Sequence, residues 1–135
     1  MSGSLRNTKI LIVDDNTDTC DLLRTALEQS GASVVVAQSV DGAVQAFRRC
    51  PAHAVITDIR FGDSDGYKLL EAVRECNAEY RGTTPVVALT GYSSPEDESR
   101  AMSAGFFAYL CKPCDPHEVV SAVSRALCGS LDLAA

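Results

Sequence analysis

A chain of 135 residues is the size of one domain and can bury roughly two-thirds of its unfolded surface around a single core, which leaves no room for a second folded module. Its 46% hydrophobic and 22% charged residues, without repeats or low-complexity segments, exclude a solenoid and a disordered tail as the bulk of the molecule. The formal net charge of -6 argues against a broad basic surface, so direct nucleic acid binding is not expected, while a site rich in carboxylates is.

Residues 1–6 are expected to form a disordered tail or a cloning remnant, 7–129 the folded domain and 130–135 a C-terminal tail. The first apolar run, Lys9 to Val13, has strand length and is followed at once by Asp14 and Asp15. It is far too short for a signal-peptide core or a membrane span, so a cytoplasmic protein is expected. Helical period follows in Leu22, Leu23, Ala26 and Leu27, with Gly31 where that helix should stop. A second strand, Ser33 to Ala37, leads to a helix through Val40, Ala43, Val44 and Phe47, which Pro51 closes. A third strand, Ala54 to Thr57, precedes a helix carrying Leu69, Leu70 and Val73. The fourth strand is read at Pro85 to Leu89 and the fifth at Phe106 to Leu110. Between them, Ser94-Pro95-Glu96-Asp97 offers a cap, a first-turn proline and acidic residues for a helix from Pro95 to Ser103. Asp115-Pro116-His117-Glu118 repeats that start signature before Val119, Val120, Val123 and Leu127. Strand and helix thus alternate five times. Strands that read as continuous apolar runs are buried on both faces, which predicts a parallel sheet with helices on both sides. The fourth helix is the least apolar of the five and is therefore expected to be mostly exposed, weakly anchored and a candidate moving part.

In an open parallel sheet, ligands collect outside the carboxyl ends of the strands. The first strand ends in Asp14-Asp15, the third in Asp58, the fourth in Thr90 and the fifth in Lys112, whereas the second ends in Gln38-Ser39. Carboxylates gathered at one edge repel one another unless a cation neutralises them. Hard oxygen ligands without His or Cys favour magnesium, which keeps several waters and needs only one or two protein carboxylates beside phosphate oxygens. A lysine and a hydroxyl on the neighbouring strands add the point charge and the hydrogen-bond donor that suit a phosphoryl group as its charge spreads over three oxygens. The pattern suits the placing of phosphate on a carboxylate.

Ile-Leu-Ile-Val-Asp14-Asp15, Val-Ile-Thr-Asp58-Ile, Asp65-Gly66, Ala-Leu-Thr90 and Lys112-Pro113, in this order, resemble the motifs of the receiver domains of two-component response regulators. The smallest members of that family are single-domain chemotaxis proteins, and the resemblance runs from about Lys9 to Leu127. It implies a flavodoxin-like, doubly wound (βα)5 fold with a central five-stranded parallel sheet in the order 2-1-3-4-5. It implies that Asp58 is the nucleophile and the phosphorylated residue, and that Mg2+ (or Mn2+) is held directly by Asp15 and Asp58, through water by Asp14, and by the backbone carbonyl of Arg60. Lys112 would pair with the acyl phosphate, Thr90 would move in to bond a phosphoryl oxygen, and Tyr109 would swing inward behind it. The fourth helix, fifth strand and fifth helix would then present a changed surface to a downstream protein target, or to a second copy in a phosphorylation-dependent homodimer. The implied donor is a sensor histidine kinase or a histidine phosphotransfer domain, and the implied activity is regulatory: such a domain catalyses only its own phosphorylation and slow dephosphorylation. The loop Arg60-Phe61-Gly62-Asp63-Ser64 departs from the family, with Gly62 where proline is usual and Ser64 where an apolar residue is common, and is expected to be looser. Arg60 and Tyr92 stand where side chains of this family overhang the phosphate, and are expected to slow hydrolysis.

Other readings of the same residues stand beside this one. Asp14 and Asp15 could serve a helix start, and Asp58 could open a turn with Asp63, Asp65 and Gly66. Tyr109 could be a packing aromatic. Cys111-Lys112-Pro113-Cys114 is a Cys-x-x-Cys motif and raises a thiol redox protein as an alternative, although it follows the last strand rather than an early one and leaves the acidic cluster unexplained. His117 with these two cysteines lacks a fourth ligand for zinc. An aspartyl phosphatase shares the chemistry, but the short loops offer no cap over a substrate. A degenerate receiver acting as a protein-interaction module is a further alternative. Cys20, Cys50, Cys76 and Cys128 read as small apolar fillers, and all six cysteines are expected to remain thiols.

Overall fold

The apolar runs pair side by side as parallel strands. The computed structural model describes residues 5–61, 64–80, 83–91 and 94–134. Its strands are β1 (Lys9–Val13), β2 (Ser33–Ala37), β3 (Ala54–Thr57), β4 (Val86–Thr90) and β5 (Ala108–Cys111), and the sheet runs in the order 2-1-3-4-5. Val13 is in register with Ala37 on one side and Thr57 on the other, so β1 and β3 end level and deliver Asp14 and Asp58 to the same edge.

Because side chains alternate across a strand, each β residue faces one of two helical layers. Leu11, Val13, Val55, Val86 and Ala88 pack with Phe47 of α2 (Val40–Arg49), Leu69 and Val73 of α3 (Gly66–Tyr80) and Ala101 of α4 (Pro95–Ala104). Ile10, Ile12, Ile56, Val87 and Leu89 pack with Leu23 and Leu27 of α1 (Thr17–Gln29) and Val119 and Val123 of α5 (Pro116–Ala134). Each large apolar side chain buried in this way contributes about 1.5–3 kcal/mol, which is what closes both faces of the sheet.

The helix starts follow their capping residues. Asn16 and Ser94 accept the amides of Thr19 and Asp97 at 2.9 and 3.1 Å, and Asp115 accepts that of His117 at 2.9 Å, satisfying donors that have no partner inside the helix. As expected, α4 is thinly anchored: Ala101 is its buried residue.

Several boundaries differ from expectation. β5 starts at Ala108 rather than Phe106, because Gly105, with φ +117°, ends α4 in a left-handed turn and the amide of Phe106 donates back to Ala101 at 3.2 Å. Phe106 is spent on that helix cap and on the core instead of on the ladder. β4 is shifted by one residue from the reading, starting at Val86 rather than Pro85 and ending at Thr90 rather than Leu89. Leu5, assigned to the tail, is 1% exposed and its amide donates to the Ser30 carbonyl at 2.7 Å, so the packed chain begins before residue 7. α5 continues to Ala134, through the segment read as a C-terminal tail. Of the four cysteines read as apolar fillers, Cys20 and Cys76 are buried but Cys50 and Cys128 are exposed. Cys50 is the C-cap of α2, with its carbonyl taken by the Lys9 ammonium at 3.0 Å, and Cys128 lies off the apolar stripe of α5. Arg60–Phe61 and Ser64–Asp65 form a two-residue antiparallel ladder outside the main sheet, and Gly62 and Asp63 of that loop lie outside the described residues.

Candidate functional site at the carboxyl edge of the sheet

Asp14 extends β1 by one residue, its amide donating to Ala37 at 3.1 Å, and its carboxylate turns inward to 2% exposure. There Oδ1 accepts the Asn16 amide at 2.9 Å, closing an Asx turn that leads into α1. Asp58 extends β3 in the same way, its amide donating to Val13 at 3.1 Å, and is 7% exposed. Thr90, the last residue of β4, is 1% exposed and its carbonyl accepts the Lys112 amide at 2.8 Å.

Lys112 joins these ends. Its Nζ lies 2.8 Å from Asp14 Oδ2 and 3.0 Å from Asp58 Oδ2, two charge-assisted hydrogen bonds from one ammonium. Burial acts first and would lower the lysine pKa. The hydrogen bonds and negative charge of Asp14 and Asp58 more than reverse that, and the pKa ends above the ordinary lysine value. The ammonium thus stays charged while standing where two buried carboxylates would otherwise repel.

The structure therefore brings Asp14, Asp58 and Lys112 into direct contact, with Thr90 buried at the end of the intervening strand. Asp15 follows Asp14 but its side chain is exposed, so the two adjacent acids have different surroundings. Tyr109 is half-buried against the α2–α3–α4 layer. Burial, and then the nearby carboxylate of Asp97, holds its phenol above the usual pKa. The Arg60 backbone lies in the short ladder, while its side chain and the whole of Tyr92 lie outside the described residues.

Sequence reasoning passed over two contributors, Asn16 and Thr57, and took Gly66 only as a motif residue without its packing role. Asn16 sits two residues after Asp14, an Asx-turn spacing that could have been read. Gly66 allows a close approach: a Cβ there would stand 2.7 Å from the Asp58 carbonyl oxygen. Thr57 donates its buried hydroxyl to that same oxygen at 2.8 Å, a contact with no signature in the one-dimensional pattern.

The donors at this edge fit a hard divalent cation. They are carboxylate oxygens, the donor type that such an ion takes, one or two of them sufficing beside its own water; among the described residues no three His, Cys, Asp or Glu side chains group closely enough to hold a metal ion by themselves. No helix among the described residues is long and apolar enough to cross a membrane.

Comparison with known proteins agrees with this geometry. Residues 10–124 match the family described as the response regulator receiver domain. The chain is 39% identical over 123 residues to an uncharacterized 14.6 kDa protein in the sodA1 3' region of Leptolyngbya boryana, covering 90% of this chain and 92% of that one. It is 38% identical over 115 residues to the acid tolerance regulatory protein ActR of Sinorhizobium medicae, covering 84% of this chain but only 57% of ActR. In structure it resembles a response regulator receiver domain protein from Clostridium thermocellum, with a TM-score of 0.82 and 26% identity over 93% of this chain and 98% of that one. By its matched sequence and by its strand order, this chain belongs to the receiver domain family of two-component response regulators.

Proposed function

We propose that this chain is a phosphoacceptor switch in which Asp58 takes a phosphoryl group from a phosphohistidine of a sensor histidine kinase or a histidine phosphotransfer domain. The observation that carries the proposal is the single Lys112 ammonium held 2.8 and 3.0 Å from the buried carboxylates of Asp14 and Asp58. A lysine so placed neutralises the acceptor before transfer and can pair with the phosphoryl oxygens after it.

In the transfer, a carboxylate oxygen of Asp58 attacks phosphorus. The new P–O bond forms as the P–N bond to the donor imidazole breaks, the bonding pair returns to that nitrogen, and an acyl phosphate results. Lys112 exchanges its contact with Asp58 for one with a phosphoryl oxygen, while Asp14 remains its counter-charge. The Thr90 hydroxyl donates to a second phosphoryl oxygen. Asp15, Asp58 and the Arg60 carbonyl, with Asp14 acting through water, would hold Mg2+ (or Mn2+), which would supply positive charge to the phosphoryl oxygens. With these contacts made on one side of β4, Tyr109 and α4 change their packing, and the face formed by α4, β5 and α5 is altered for a downstream protein target. The chain is then a substrate that assists its own modification rather than an enzyme that turns over small phosphoesters.

The thiol redox alternative is less well supported. Burial, and then the carboxylate of Glu118, pushes the Cys114 thiol up to about 11, which disfavours Cys114 as an attacking thiolate, and the redox reading assigns no role to the contacts of Lys112 with Asp14 and Asp58.

The test is intact-mass analysis after incubation with acetyl phosphate and Mg2+. The expected result is a gain of one phosphoryl group, absent with EDTA and absent in an Asp58→Asn variant. No gain on the folded wild type would overturn the proposal in favour of a degenerate receiver that works by protein contact alone.

A further inference from the structure

The junction between β3 and the acceptor contains a buried polar group to which the transfer chemistry assigns no role. Thr57 is the last residue of β3 and has no exposed surface, yet it carries a hydroxyl. A buried hydroxyl requires a partner, and this one donates to the backbone carbonyl of Asp58 at 2.8 Å. On the other side of the Asp58 Cα, the amide donates to the Val13 carbonyl at 3.1 Å. The peptide groups on both sides of the acceptor are therefore tied, one to β1 and the other to the Thr57 side chain. The next carbonyl, that of Ile59, accepts the Gly66 amide at 2.7 Å. A Cβ on Gly66 would also lie 3.3 Å from Thr57 Cγ2, so the start of α3 packs directly onto this junction. Side-chain rotamers depend on the backbone angles beneath them, and holding both peptide planes therefore sets where the Asp58 carboxylate points.

We propose that Thr57 is a positioning residue for phosphoryl transfer, its hydroxyl acting through the Asp58 carbonyl to keep the acceptor carboxylate aimed at the incoming phosphorus and at Lys112. The inference rests on the reading of Asp58 as the phosphoacceptor. Transfer depends on a near-attack geometry in which displacements of the order of an ångström cost about a hundredfold in rate, so a smaller misalignment should be readable without loss of the fold.

The experiment compares Thr57→Val, which keeps the shape and removes the donor, with Thr57→Ser, which keeps the donor and removes a methyl. Phosphorylation by acetyl phosphate is followed by intact mass over a range of Mg2+ concentrations, with thermal unfolding as a check on folding. The expected result is a maximal rate lowered about 5- to 20-fold in the valine variant, with the half-saturating Mg2+ unchanged, and within about threefold of wild type in the serine variant. A role in packing alone predicts the reverse order, since serine leaves the cavity that valine fills. Should the valine variant not fold, Thr57→Ala removes the donor without overfilling the site and takes its place against serine. Equal rates in the donor-less variant and wild type, or serine as slow as the donor-less variant, would overturn the inference and leave the acceptor reading intact. Failure of the wild type itself to take up a phosphoryl group would overturn both.

Discussion

Lys112 has two carboxylate partners, and the sign of its pKa shift shows which effect wins. The raised pKa means that attraction to Asp14 and Asp58 exceeds the cost of partial burial. Removing the ammonium as in Lys112→Met leaves Asp14, 2% exposed, and Asp58, 7% exposed, without that counter-charge. The expected cost is about 1–3 kcal/mol in urea unfolding, less than for a fully buried pair because the lysine is partly solvated. Adding Asp14→Asn to that variant should recover part of the loss, since it removes one of the two repelling charges. The pH dependence follows from the same shift. A lysine whose pKa is raised on folding contributes fully below the unfolded value of about 10.4 and loses that contribution as pH rises through the folded value. The stability gap between wild type and Lys112→Met should therefore stay constant near neutrality and narrow only in alkali. A gap that closes between pH 6 and 8 would mean that something other than the lysine charge sets it.

At the scale of elements, α4 is anchored by the buried Ala101 and by a few side-chain contacts around it. The Arg100 guanidinium lies 4.8 Å from the Tyr67 ring centroid. Tyr67 in turn meets Phe106 edge to face at 5.5 Å, and Gly105 turns the chain away at φ +117°. Gly105→Ala should cost about 1–2 kcal/mol in equilibrium unfolding, the strain of a left-handed non-glycine residue. The added Cβ would also fall 1.6 Å from the Arg74 guanidinium, but that is the end of a flexible side chain and can move. A second change, Arg74→Ala, should accordingly recover little, and full recovery would show that the clash rather than the backbone sets the cost. This terminus also shows where the sequence was a poor guide. The strands, their order and the capped helix starts were legible because period, turn residues and strand-end chemistry agreed. Phe106 was misread because a β-favouring aromatic beside an apolar run looks like a strand until the helix C-cap claims its amide. Likewise, residue type alone does not tell which of Asp14 and Asp15 is buried, and it is the Asx turn to Asn16 and the reach of Lys112 that mark Asp14. The Thr57 hydroxyl was unreadable for a similar reason, since its contact is with main chain.

Across the whole molecule, the candidate site exists only when the sheet does. Its groups come from residues 14, 58, 90 and 112, at the ends of four different strands, and nothing local would hold them together in the unfolded chain. A ligand of this edge must therefore stabilise the fold as a whole by mass action. For Mg2+, the stabilisation should grow as the logarithm of its concentration and reach about 2.7 kcal/mol at a hundred times the dissociation constant. The net charge of -6 means that any salt also relieves some general repulsion, so the comparison is with monovalent salt at equal ionic strength. Asp15 gives the discriminating variant. Its side chain is exposed, so Asp15→Asn should change stability by no more than about 0.5 kcal/mol without metal, yet it should remove most of the Mg2+-dependent rise in melting temperature. If the variant keeps the full rise, Asp15 is not a ligand and the ion is held by the buried carboxylates. If both proteins respond equally to Mg2+ and to monovalent salt, the acidic edge binds no specific cation, and Lys112 alone neutralises it.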